Sequence, residues 1–130
     1  MNETRALQVA VAVAGLVPVT AGAVGAFNPA WMALSGPASA LTHAGYLSGL
    51  LLGLGLAFWS LIPSIEKQGR LFGLLAAIVM LGGVARLALA LKLGVRDLSV
   101  LLPLVMELGV TPALWAWQRR IARASISAPE

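Results

Sequence analysis

Apolar and polar positions divide the chain into four long apolar runs, separated by three short polar breaks and followed by a polar tail. The runs cover about residues 6–27, 41–62, 71–93 and 100–118, and the tail is 119–130. A helix rises ~1.5 Å per residue, so each run is close to the length that crosses the ~30 Å hydrocarbon core of a bilayer. The pattern predicts an all-α fold, a four-transmembrane-helix antiparallel bundle forming a single integral membrane domain. The first run also has small residues at Ala21-Gly22-Ala23, where a signal peptide would be cleaved. The apolar part of a signal peptide is usually ~7–15 residues, however, and this run is longer and is preceded by only one basic residue, Arg5. An uncleaved span is therefore expected, kinked at Pro18, which membrane helices tolerate where neighbours satisfy the freed carbonyl.

The breaks carry their own signals. Asn28 to Ala40 contains Pro29, Gly36 and Pro37 and no charge. It reads as a connecting loop with Trp31 anchored at the interface, or, more sharply, as a half-buried lid over the bundle. The second run stops at Pro63 and contains Gly49 and Gly53, with Gly45 and Ala57 extending the spacing. Small residues at every fourth position form a groove for close helix approach, with another helix of this chain as the expected occupant. Ser64 to Arg70 is a short charged turn, which predicts a hairpin of the second and third runs. The fourth run is interrupted by Pro103 and Pro112, and the tail beyond it reads as a frayed, solvated end.

Composition narrows the class. Of 130 residues, 59% are hydrophobic and only 11% charged, against about 25% in soluble domains. The net charge of +4 would suit a nucleic-acid partner, but the basic residues gather at run ends and form no soluble basic face, so none is expected. The absence of cysteine excludes disulfides and thiolate metal sites. Arg5, Lys67, Arg70, Arg119, Arg120 and Arg123 fall on one side of a four-span arrangement, and Lys92 and Arg96 near the other. Basic residues favour the cytoplasmic side, so both termini are expected in the cytoplasm. Trp59, Trp115 and Trp117 stand at the same ends and agree with that orientation.

The most informative position is Arg86, a guanidinium inside the third run. At mid-depth it is disfavoured by ~2.5–3.5 kcal/mol on insertion scales, so it needs a partner, a cavity or a route to the interface. Glu107 is the expected partner. Counted along straight helices, Arg86 lies ~24 Å and Glu107 ~16 Å above the same boundary. Side chains lean toward their own helix N-terminus, so on antiparallel helices the two reach toward each other. Thr20 at ~20 Å, Tyr46 at ~25 Å and His43 at ~30 Å fall in the same outer half, His43 and Tyr46 on one helical face.

Read structurally, this cluster is a neutralised ion pair, with Tyr46 donating to the carboxylate and His43 wet at the interface. Read functionally, Arg86, Glu107, His43, Tyr46 and Thr20 line an outward-facing pocket for a lipid, a quinone or another small amphiphile. Proton-coupled transport through Glu107 and His43 is a further alternative. An enzyme is not expected: there is no nucleophile elbow, no metal-ligand set beyond one histidine, and no Gly-rich phosphate loop between strand and helix. No cofactor is expected either. The favoured role is a non-enzymatic accessory or assembly component that packs against a partner membrane protein or a second copy of itself.

Four stretches also carry a resemblance: H-x-x-Y-L-S-G-L-L-L-G-L-G-L from His43, I-P-x-I-E from Ile62, L-G-G-x-A-R-L from Leu81, and E-L followed by P and W-Q-R from Glu107 onward. From about Ala6 to Arg120 the chain resembles the bacterial membrane-protein family called domain of unknown function 4345. The resemblance implies a compact four-helix protein of the bacterial cytoplasmic (inner) membrane, and more loosely a kinship with DoxX-like four-helix proteins. It implies no activity, cofactor or catalytic residue. His43, Tyr46, Glu66, Arg86, Glu107 and Gln118 match its polar pattern.

Overall fold

Each apolar run forms a helix in the computed structural model, which describes residues 2–28 and 36–127. Helix α1 is Glu3–Phe27, α2 is Ala38–Leu61 and α3 is Gly69–Leu93. The fourth run is three consecutive helical pieces: α4 (Leu98–Val105), a π turn (Met106–Val110) and α5 (Thr111–Ile126). The fold is all-α. Counting Leu98–Ile126 as one, four helices are long and apolar enough to cross a membrane, making this a multi-pass membrane protein with four candidate spans. Trp31, and with it the choice between loop and lid, lies outside the described residues.

The chain divides into two compact units, Val9–Pro63 and the combination of Met1–Gln8 with Ser64–Glu130. In the first, α1 meets α2 where glycine lets backbones approach. A Cβ on Gly22 would fall 2.5 Å from the Leu52 nitrogen and 2.8 Å from the Ser48 carbonyl oxygen. Gly55 lies against Val19, and Gly15 lies under Trp59, whose Nε1 donates to the Ala12 carbonyl at 3.1 Å. On α2 the contact therefore runs along Ser48, Leu52, Gly55 and Trp59. This corrects the expected groove: a Cβ at Gly49 or Gly53 would have nothing within 4 Å, and one at Gly45 would meet only the Ala26 carbonyl, at 3.9 Å. Gly49 and Gly53 lie one residue beyond Ser48 and Leu52, ~100° round the helix from the contact. Helix α1 continues through Pro18 without ending.

In the second unit α3 runs antiparallel to α5, with Gly69 opposite Gln118, Gly73 opposite Trp115 and Gly83 opposite Glu107 and Leu108. Its core holds Leu7, Ile65, Phe72, Ala76, Leu104 and Ile121. Gly94, at φ 67°, closes α3 in the left-handed conformation that glycine adopts without penalty, and the Val95 N–H reaches back to the Ala90 carbonyl at 3.0 Å. The expected frayed tail is corrected, because α5 stays helical to Ile126. Three side chains account for it. Ile121 is buried one turn beyond the buried Gln118, Arg120 pairs with Glu3 at 2.7 Å, and Arg119 lies over the Trp115 ring at 5.4 Å.

Candidate functional site

The site begins with two prolines. Neither Pro103 nor Pro112 has an N–H to donate, so the carbonyls four residues earlier lose their helical partners. Between them the backbone widens into the π turn, a geometry that recurs at functional sites. There the Thr111 N–H reaches back five residues to the Met106 carbonyl, and the Thr111 hydroxyl donates to the same oxygen at 2.8 Å. Glu107 sits in this widened turn. Across from it, Gly83 of α3 has no side chain to hold the turn off: a Cβ there would come 2.8 Å from Glu107 Cβ. Arg86, three residues beyond Gly83 and on the same helical face, is brought within reach.

The result is a bidentate pair, the strongest geometry a guanidinium and a carboxylate form. Nε of Arg86 donates to Oε2 of Glu107 at 3.0 Å, and Nη2 donates to Oε1 at 3.0 Å. The expected partnership across antiparallel helices is present. The pair is lopsided, however, with the arginine side chain 42% exposed and the glutamate 16%. Glu107 is held inside while the outer edge of the guanidinium faces away, and its remaining N–H groups donate to none of the described residues. Leu89 and Leu93, three and seven residues beyond Arg86 and on its face of α3, expose apolar surface beside it.

A family described as Domain of unknown function (DUF4345) matches residues 6–118. The chain belongs to this family. No curated protein and no solved structure matches the chain. The DUF4345 match crosses all four candidate spans, takes in both members of the ion pair, and stops just before Arg119.

Of the five expected site residues, the structure joins Arg86 and Glu107. Thr20, His43 and Tyr46 of this DUF4345 chain belong to the Val9–Pro63 unit, so within one unit the cluster reduces to the pair. The Thr20 hydroxyl donates to the Leu16 carbonyl of its own helix at 2.6 Å. Tyr46 is 64% exposed and His43 is exposed. Among the described residues no three His, Asp or Glu side chains converge as a metal site.

Sequence reasoning passed over Gly83, Thr111 and the structural role of Gln118. Gln118 is fully buried and donates Nε2 to the Ile65 carbonyl at 2.8 Å, tying α5 to the segment before α3. The available signals were the Gly82-Gly83 doublet three residues before Arg86, and a threonine directly preceding a proline inside an apolar run.

Proposed function

We propose that this DUF4345 protein is a non-enzymatic accessory or assembly component of the bacterial cytoplasmic membrane, with both termini in the cytoplasm, docking a partner membrane protein on the face that carries Arg86. The observation that supports the reading is the half-exposed guanidinium. One edge is engaged by Glu107 and the other is unanswered by the described residues, and both lie within helices of spanning length. In hydrocarbon an N–H without an acceptor costs several kcal/mol, so the free edge calls for an oxygen from outside the described residues. A carbonyl or polar side chain on a neighbouring helix supplies one, and the exposed Leu89 and Leu93 on the Arg86 face of α3 supply the apolar contact that such a helix needs.

The same free edge favours one runner-up, the carbonyl or headgroup oxygen of a quinone, lipid or similar amphiphile. Photo-crosslinking from Leu89 and Leu93 in native membranes separates the two. The docking reading expects one protein adduct in stoichiometric amount, lost in Arg86→Ala while the protein stays folded. Lipid or quinone adducts alone would transfer the site to the runner-up. A monomer that yields neither kind of adduct would remove both.

A further inference from the structure

A second polar site stands at the other end of α3 and α5, about seventeen residues along α3 from the ion pair. Where α3 begins and α5 ends, a groove of about 480 Å³ is lined by Arg70, Gly73, Trp115, Arg119, Arg123 and Ile126, among others. Its floor is apolar because Gly73 has no side chain. A Cβ there would come 3.0 Å from Trp115 Nε1, so the missing atoms leave the indole as one wall. Its rim is cationic. Arg119 and Arg123 are four apart on one face of α5, and Arg70 faces them from the first turn of α3.

Among the described residues the ion pairs are Arg86 with Glu107 and Arg120 with Glu3, and neither uses a rim arginine. Like charges four apart on a helix repel. A third arginine facing them across the groove adds to that repulsion, and among the described residues the rim has no acidic side chain to offset it. Arg119 is also held in place over the Trp115 ring, at 5.4 Å. Three cations around an apolar slot, at the point where two candidate spans end, match a molecule with an anionic head and an apolar tail.

We infer that this groove binds an anionic phospholipid, its phosphate held by Arg70, Arg119 and Arg123 and one acyl chain lying over Gly73 against Trp115. A free anion would use the rim but not the floor. A zwitterionic lipid would use the floor but bring a positive group against the rim.

The test is binding to the full-length purified protein, read by native mass spectrometry and by thermal stabilisation, with phosphatidylglycerol, phosphatidylcholine and inorganic phosphate as probes. Phosphatidylglycerol should bind about tenfold or more tighter than phosphatidylcholine, and phosphate at equal concentration should not stabilise. Arg70→Gln, Arg119→Gln and Arg123→Gln should each lower phosphatidylglycerol affinity roughly fivefold, the fold-change matching the ~1 kcal/mol a basic side chain gains at an anionic surface. Arg96→Gln, which removes the same charge from the loop between α3 and α4, should leave affinity unchanged. Gly73→Leu should weaken phosphatidylglycerol with every arginine in place; if that variant does not fold, the arginine series decides alone. Equal binding of the two lipids, an equal loss in Arg96→Gln, or stabilisation by phosphate alone would each overturn the assignment.

Discussion

The smallest residue at the site sets its geometry. Because a Cβ at Gly83 would sit 2.8 Å from Glu107 Cβ and 2.9 Å from two Leu108 side-chain atoms, Gly83→Ala must push the π turn away from α3. Overpacking of this kind costs ~1–3 kcal/mol. Gly82→Ala meets nothing within 4 Å and should be neutral or slightly stabilising, by up to ~1 kcal/mol from helix propensity. Denaturation of both variants in the same detergent checks the contrast, and equal effects would mean the close approach is not real. The pair beside Gly83 makes its own prediction. Arg86→Ala strands the more enclosed carboxylate, whereas Glu107→Ala strands a guanidinium already half exposed, so the first should cost more, about 3 kcal/mol. Replacing both with apolar residues should be milder than Arg86→Ala alone, with a coupling of ~1–3 kcal/mol in a double-mutant cycle; additive losses would show that the groups act separately. That Arg86 needed Glu107 was legible, because few side chains in these runs can answer a charge. That Gly83 made it possible was not, since the chain has 14 glycines and only helix register distinguishes the one opposite Glu107.

At the scale of elements, periodicity revealed the helices but not the faces they turn to one another. The glycines spaced four apart on α2 suggested a groove, yet the side that meets α1 is the adjacent one, where Gly22 and Gly55 permit the approach. The choice of face depends on small residues of both helices together, and a motif on one of them carries only half of that information. Gly22→Ala would place a methyl 2.5 Å from the Leu52 backbone nitrogen, which cannot swing aside, whereas Gly53→Ala points into open space. The first should destabilise by ~1–3 kcal/mol and the second should stay near wild type, read by thermal unfolding of the two variants. The tail misled for a related reason. Residues 119–126 are too polar to look like a span, but Ile121 falls one turn after Gln118 on the buried face and extends the helix. Ile121→Ala should therefore raise amide exchange from Arg119 to Ile126 while leaving α3 protected. Unchanged exchange would mean that the Arg120–Glu3 pair holds the helix instead.

At the scale of the molecule the open matter is which way the four spans run, and the sequence supplies both the expectation and a clean way to check it. Basic residues at the turn before α3 and along the end of α5 outnumber those near Lys92 and Arg96, and moving that charge outward across the membrane is opposed during insertion. The proposed orientation therefore places Asn2 and Ser127 in the cytoplasm and Ser99 outside. Because the chain contains no cysteine, a single introduced thiol is the only one present, and all three of these positions are exposed. In intact cells a membrane-impermeant maleimide should label Ser99→Cys and spare Asn2→Cys and Ser127→Cys, and permeabilised cells should label all three. None of these substitutions alters a charge, so the probe does not disturb the bias that it measures. Labelling of Asn2→Cys and Ser127→Cys but not Ser99→Cys in intact cells would invert the molecule. Labelling of only one terminus would require an odd number of crossings, and one of the four apolar helices would then not span.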